Sequence, residues 1–543
     1  MRDLLSVSSE SRREPSAGER TARLLAALAL GLCLAGAGGA RGQALDPDYT
    51  PIRAERGLQG EAPFVAGQDF ETISTSSGNL LLRIPLGQAY SVGPVLSYQL
   101  QAVYNSNAWD HFRIKCLINQ QGCTTFPPRT FSLPDPESNA GVGWSVHLGR
   151  LYQPIAPAGM SSFQRQSWPN REPDPSDNLK RWKYVAPDGS IHYLYRLNGR
   201  DGGTASLPVR YSKDGSYLRM RQTSATRIVV SRPDGVESEF EKTGQVAGTN
   251  FCDGSTITEC WRLKQITDPY GNYLKVSYSL VGNAETWTLT DSTQRKHYIR
   301  FTHNEAKTGG GDGAAPIITA DGDQWGDLRK VVTEVDLAAF GGQRAVYGFA
   351  TAVRPMPRAC PHEWDKFPAS FNSLTAPVLE GITVPESQDW AFETSTTGAG
   401  SGSCTLMSGK VTEVTTPAQG RVQYTYGSWR FPNRCDYNSQ DVVVDFDHRL
   451  WGILRKKLLR KNGSTVEAEW QYSNRLYPTV GFLVPSGSGC TRANYRKTTV
   501  RGPLVAGKRT RTDYYTAVTE GTDRMQSGGL PLGDWRIFDA GLP

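Results

Sequence analysis

Ser76-Ser77-Gly78-Asn79-Leu80-Leu81-Leu82-Arg83-Ile84-Pro85-Leu86-Gly87, followed by Val92-Gly93-Pro94-Val95-Leu96-Ser97-Tyr98, is the stretch whose reading decides the fold. Each apolar run is cut short by Gly or Pro, so neither is long enough for an amphipathic helix, and both read as strands. The unit closes with Val103-Tyr104-Asn105-Ser106 and Gly141-Val142-Gly143-Trp144-Ser145, where two glycines let the backbone turn beside a large ring. The region from Ile73 to Trp144 is therefore expected to be a stack of hairpins closed by a tryptophan corner.

The rest of the chain carries the same signals. Of 543 residues, 38% are hydrophobic and 21% charged, with 56 Gly and 33 Pro, which is too apolar for disorder and too rich in turns for a helical bundle. Short units with an Asp or Gly turn between aromatic or β-branched runs begin at Lys180. They include Trp182-Lys183-Tyr184 with Ile191-His192-Tyr193 around Pro187-Asp188-Gly189, and Ile228-Val229-Val230 with Val236–Phe240 around Pro233-Asp234-Gly235. Leu263–Thr267 and Tyr273–Tyr278 flank Asp268-Pro269-Tyr270-Gly271-Asn272, and Val411–Thr415 and Val422–Tyr426 flank Pro417-Ala418-Gln419-Gly420-Arg421. Pro presets one turn residue and Asp-Gly accommodates the positive backbone angle, so each unit predicts a hairpin. Gly452–Arg460 and Thr465–Tyr472 around Asn462-Gly463 predict another. The spacing of Leu450, Ile453, Leu454 and Leu458 beside Arg455-Lys456-Lys457 allows a basic amphipathic helix on a membrane surface instead; the Asn-Gly turn favours the strand.

The ordered series Ser77-Gly78, Ile84-Pro85-Leu86, Gly93-Pro94, Leu96 with Tyr98, Tyr104 with Ser106, and Gly141, Gly143 and Trp144 resembles the opening of the RHS or YD-repeat family and of its relatives among insecticidal toxin-complex subunits and salmonella-type virulence proteins. Asp268 to Tyr278 is similar to one YD repeat, although no strict Tyr-Asp pair follows the second strand of these units and their spacing is irregular. The resemblance implies an all-β fold of antiparallel hairpins in an extended, curved sheet with irregular disulfide-pinned loops. It also implies structural work: a shell around a polypeptide cargo, or contact between cells.

The N-terminus holds Arg12, Arg13, Arg20 and Arg23, then an apolar run from Leu24 to Ala37, then small residues up to Gly42-Gln43-Ala44. This predicts a secretory signal over 1–44 with the mature chain starting at Leu45, cleavage after Ala40 being the alternative. The apolar run is shorter than the ~20 residues of a membrane span. An opening unit over 45–177 and a hairpin body over 178–543 are expected to follow, with surface insertions at 113–139, 307–323 and 394–403. The formal charge is +7, and residues 1–44 hold six basic and four acidic groups, which leaves +5 spread along the body. A charge so mild and so dispersed predicts no nucleic-acid partner.

Outside the leader stand Cys116, Cys123, Cys252, Cys260, Cys360, Cys404, Cys435 and Cys490. An even count in an exported chain favours disulfides, and no Cys-x-x-Cys spacing favours zinc. Nearest neighbours give Cys116 with Cys123, Cys252 with Cys260, Cys360 with Cys404 and Cys435 with Cys490, one of about 105 pairings. His362-Glu363-Trp364-Asp365 lacks the second His of a zinc-protease helix, and Asp321-Gly322-Asp323 with Asp327 has Trp325 where a third calcium ligand belongs. Asp445-Phe446-Asp447-His448 places two carboxylates on one strand face, as glycoside hydrolysis requires, or protects a sheet edge. Trp325, Trp364 and Trp390 have the chemistry to stack on sugar rings or to pack a sheet. Serine elbows and phosphate loops are absent from the sequence. The expected protein is a secreted, cell-surface or periplasmic structural or adhesive module. No catalytic residue, metal or cofactor is expected, and its partner is extracellular carbohydrate or a polypeptide. The rival is a secreted polysaccharide hydrolase acting through Asp445, Asp447 or Glu363.

Overall fold

In the computed structural model two sheets share one core, and the smaller is built from the stretch quoted first. It contains β1 (Phe64–Ala66), β2 (Glu71–Ser74), β3 (Leu80–Ser91) and β4 (Ser97–Asn105). After β5 (Trp109–Ile114), β6 (Leu117–Asn119), β7 (Gly122–Thr124) and β8 (Arg129–Pro134), it is completed by β9 (Trp144–Val146), in the order β1-β2-β3-β4-β9. The structure describes residues 64–66, 70–75, 77–114, 117–119, 122–124, 129–134, 138–154, 182–196, 209–212, 215–242, 258–303, 330–357, 373–396, 407–430, 434–437, 443–446, 449–461, 465–478, 493–505, 507–522 and 533–538. All of them lie in one unit spanning Asp48–Pro543.

The tryptophan corner forms as the sequence predicts. Gly141 and Gly143 have φ of 112° and 78°, and a Cβ at Gly143 would stand 2.8 Å from the Tyr104 ring. The resulting turn seats Trp144, 1% exposed, against Tyr104 and Phe392 at 5.1 and 4.5 Å between ring centroids. The segment expected to be a surface loop over 113–139 is more regular: β5 pairs with β8 from Trp109↔Pro134 to Ile114↔Arg129, and β6 pairs with β7 inside it. The alternation of Phe112 and Ile114 with polar residues supplies the strand signal there.

The second sheet opens with β10 (Arg150–Pro154), β11 (Trp182–Val185), β12 (Ile191–Arg196), β13 (Val209–Ser212), β14 (Arg219–Ser224), β15 (Arg227–Ser231), β16 (Glu237–Lys242) and β17 (Thr258–Thr267). β10 pairs with β17 as well as β11, so these strands close into an antiparallel ring of eight. Tyr184 of β11 meets Phe240 of β16 with ring centroids 6.0 Å apart although the two strands are not neighbours, which places both rings in the interior. Closure removes the free sheet edges that the first strands would otherwise expose.

From the ring the sheet runs on through β18 (Tyr273–Val281), β19 (Ala284–Asp291), β20 (Lys296–His303), β21 (Lys330–Ala338), β22 (Arg344–Pro357), β23 (Ser373–Thr383), β24 (Trp390–Thr394), β25 (Val411–Thr415) and β26 (Arg421–Arg430). A separate hairpin of β27 (Arg434–Tyr437) and β28 (Val443–Phe446) intervenes. β29 (Arg449–Leu459), β30 (Val466–Pro478), β31 (Ala493–Val505), β32 (Lys508–Thr522) and β33 (Gly533–Phe538) then complete 22 strands. β29 is a strand whose Lys456 is 0% exposed, which replaces the alternative of a basic surface helix: a period of two turns Lys456 inward between Arg455 and Lys457.

Because every pairing is antiparallel, alternate connections emerge on opposite rims. One rim carries short turns, and five share a single geometry in which residue i donates to the carbonyl of i+4 and residue i+3 donates back to i: 186–190, 232–236, 268–272, 291–295 and 416–420. The i+3 position has positive φ in all five, held by Gly189, Gly235, Gly271, Gln294 and Gln419. The long connections, 155–181, 197–208, 243–257, 304–329, 358–372, 395–410, 431–448 and 479–492, leave from the other rim.

Candidate functional site at the contact between the sheets

The first sheet bonds to partners spread from the β11–β12 turn to β29. Arg83 reaches Asp188 in that turn, Tyr90 Oη donates to the Ala338 carbonyl at 2.7 Å, Tyr104 Oη donates to the Gly409 carbonyl at 3.1 Å, and the Ile453 amide donates to the Gly78 carbonyl at 2.8 Å. Laid flat, the strands from β11 to β29 would extend about 75 Å at ~4.8 Å per strand, against about 20 Å across five strands. The large sheet therefore curves around the small one, and one core includes Leu80, Leu82 and Ile84 with Leu289, Val335, Val422 and Ile453.

Three buried polar groups bridge the two sheets. In the first, the Ala338 amide donates to His297 Nδ1 at 3.1 Å, which leaves the proton on Nε2 and directs it to Tyr98 Oη at 2.8 Å. Tyr98 in turn donates to Asp291 Oδ2 at 2.9 Å, where Arg295 Nε also donates at 2.7 Å. Burial, with a contribution from the two arginines and against the pull of Asp291, lowers the imidazole to about 4. Burial and the Asp291 hydrogen bond raise the Tyr98 hydroxyl. Asp291 itself stays below the usual carboxylate range, because hydrogen bonds from Thr293, Tyr98 and Arg295 outweigh its burial. A neutral imidazole that donates to a tyrosine is a fixed strut and has no base function to offer.

In the second group, Glu71 of β2 contacts Lys456 of β29 and the Tyr424 hydroxyl of β26, with both charged side chains fully buried. The Lys456 ammonium also lies 4.4 Å above the Trp470 ring. In the third, Lys410 donates to the Ser106 carbonyl at 2.8 Å over the Tyr426 ring, and burial lowers it to about 7.

Two further clusters have the residue types of catalysis. Glu285 accepts from His303 Nε2 at 2.7 Å, Trp287 Nε1 at 2.7 Å and Lys330 Nζ at 3.2 Å. Burial would raise its carboxyl, but Lys330 and these donors bring it to about 2, so it is a permanent anion and not a proton donor. Ser190 Oγ donates to Asp188 Oδ1 at 2.7 Å and meets His192 Nε2 at 2.9 Å. With its own proton committed to the aspartate, the serine accepts from the histidine, the reverse of a nucleophile and its base. Pattern reasoning did not assemble these groups: it met Lys456 only within the basic run Arg455-Lys456-Lys457, and the signal that marks it, as it marks Glu285, is a charged residue at an inward position of an alternating strand.

Cys116, Cys252, Cys360, Cys404 and Cys490 are outside the described residues, as are Asp321, Asp323, Trp325, Asp327, His362–Asp365, Asp447 and His448. Cys123, Cys260 and Cys435 sit on β7, β17 and β27, where the backbone alone is described, and Cys435 is the register partner of Asp445 in the β27–β28 hairpin. Trp390 is half-buried against Phe70 at 5.2 Å and packs the sheet. Among the described residues, no group of three or more His, Cys, Asp or Glu is placed to hold a metal, and no helix is long and apolar enough to cross a membrane.

No family model and no curated protein matches the chain. Among solved structures it is similar to the crystal structure of TcdB2-TccC3-TEV, at 11% identity and a TM-score of 0.25 over 89% of this chain and 20% of that one. The Tc holotoxin pore of Photorhabdus luminescens gives 11% identity and a TM-score of 0.27 over 92% and 25%. The N-terminal domain of the effector protein SpvB from Salmonella typhimurium strain LT2 gives 10% and 0.23 over 80% and 98%. The chain thus spans about a fifth to a quarter of the toxin-complex chains it matches.

Proposed function

We propose that the chain is an exported, non-catalytic structural module of the RHS or YD-repeat type, a length of β shell whose enclosed face is filled by its own first sheet. The observation that carries this reading is the wrap of the large sheet around the small one, fastened by buried groups that include the Tyr98 strut and the Glu71–Lys456 pair. A body that buries an apolar face of its large sheet against its own first sheet, and holds Glu285 and Asp291 ionised among matched donors, is built to keep a shape. Polypeptide cargo and extracellular carbohydrate are the partners that suit such a module.

The rival hydrolase reading is tested directly. The mature protein from Leu45 is incubated with a panel of neutral and acidic polysaccharides and assayed for new reducing ends. The structural reading expects none. Release that disappears in Glu363→Gln, Asp445→Asn or Asp447→Asn would replace it with the hydrolase.

A further inference from the structure

Two neighbouring hairpin tips carry exposed cations, Arg460 and Lys461 on one and Lys508 and Arg509 on the other. β29 turns into β30 around residues 460–465, and β31 turns into β32 around residues 505–508. Since β30 pairs with β31, the two tips stand side by side on the short-turn rim, about 10 Å apart at the spacing of two strands. Val466 is 44% exposed, Leu504 62% and Val505 69%, three of the ten large hydrophobic side chains that stand exposed among the described residues.

Cations surround these apolar tips. Leu504 is the register partner of Arg509, and Val505 of Lys508. Lys461 and Lys508 are exposed, and neither has a carboxylate partner among the described residues. Behind the tips, Arg501 and Arg511 face each other across β31 and β32; Arg511 is paired with Asp513 at 3.2 Å and Arg460 with Glu467 at 2.9 Å, which leaves Lys461 and Lys508 as the cations of the tips that face solvent without a carboxylate among the described residues.

Exposed aliphatic side chains ringed by cations fit one kind of partner. A lipid surface with anionic headgroups accepts both, the aliphatic tips entering the acyl boundary and the cations meeting the headgroups. A nucleic acid would use stacking rings, and an anionic glycan would have no use for Leu504 and Val505. We propose that the β29–β30 and β31–β32 tips form a peripheral docking edge for an anionic membrane surface. This edge is independent of whether the protein also hydrolyses polysaccharide.

The test is co-sedimentation of the mature protein with vesicles of phosphatidylcholine alone and with about a third phosphatidylglycerol. Binding is expected on the anionic vesicles only, and weaker in high salt. Leu504→Ser with Val505→Ser, and separately Lys461→Glu with Lys508→Glu, should each lower partition at least about tenfold. All four side chains are exposed, so an unchanged thermal transition is expected in both variants, and the two probe the apolar and charged parts independently. No vesicle binding, equal binding to neutral vesicles, binding that survives both variants, or retention on heparin without vesicle binding would each overturn the proposal.

Discussion

The hydroxyl of Tyr98 donates to Asp291 at 2.9 Å and so ties the first sheet to a hairpin turn 193 residues further along the chain. The same oxygen accepts from His297, whose other nitrogen is held by the Ala338 amide. Tyr98→Phe would leave a buried imidazole donor and a carboxylate lone pair without their partner, a loss of about 1–3 kcal/mol by denaturant unfolding.

The strut also makes stability depend on pH. His297 titrates near 4 in the folded protein and near ~6.5 in the unfolded chain, so above about 6.5 both states hold it neutral. As pH falls from there towards 4, the unfolded chain takes up a proton that the folded one does not, and stability is lost across that window. His297→Asn keeps an acceptor for the Ala338 amide but does not titrate. The difference between wild-type and variant unfolding free energies should therefore shrink as pH falls from 7 to about 4. A difference that stays flat would show that the imidazole is not buried neutral.

Burial lowers Lys410 in the same sense as His297. It lies buried over Tyr426 with its Nζ on a backbone carbonyl, and it titrates near 7 where the unfolded chain titrates near ~10.5. Above about 10.5 both states are neutral. Below that the unfolded chain binds a proton that the folded state resists, so stability falls as pH drops towards 7 and levels out beneath it. Lys410→Met fills a similar volume without a charge and should stabilise by roughly 1–3 kcal/mol at pH 7, with the advantage shrinking as pH is raised to 10. Urea midpoints of both proteins across that range check it.

The five turns of shared geometry make a fourth prediction, because one backbone slot is filled by two residue types. Gln419 holds φ of 65° and Gly271 holds 85°. Gln419→Gly should stabilise by up to about 1 kcal/mol, since a side chain in the left-handed region costs roughly that much. Gly271→Ala meets no atom within 4 Å and should cost only that strain, whereas a Cβ at Gly189 would stand 2.5 Å from Val103. Gly189→Ala should therefore lower the melting temperature more than Gly271→Ala.

The hairpins were legible because their turns declare themselves: Asp268-Pro269-Tyr270-Gly271-Asn272 places Pro, Gly and a capping carboxylate where the geometry needs them, and the Asp268 carboxylate accepts from the Tyr270 and Asn272 amides. Gln294 and Gln419 fill the glycine's slot with a side chain, although Asp291 accepts from the Thr293 and Arg295 amides in the same way and Pro417 opens the other turn. The tryptophan corner was legible from two glycines beside a large ring. The pairing of β10 with β17 was not, because Leu151 and Trp261 are 110 residues apart and nothing local marks them as partners. The charged contacts between the sheets were hidden for a related reason. Glu71 and Lys456 look like surface residues until the register of both sheets is known.

That pair supports the last prediction. Glu71 and Lys456 are both fully buried and in contact, with Tyr424 as the third member. Removing one charge strands the other: Lys456→Met should cost about 3–5 kcal/mol, and Glu71→Gln a similar amount. The double variant strands nothing, and Gln at 71 can still accept from the Tyr424 hydroxyl, so its loss should be well below the sum of the single losses, with a coupling on the order of 2–3 kcal/mol. The cycle is read from unfolding midpoints at fixed pH. Additive losses would mean that the two groups do not meet, and would remove one of the fastenings that hold the first sheet inside the second.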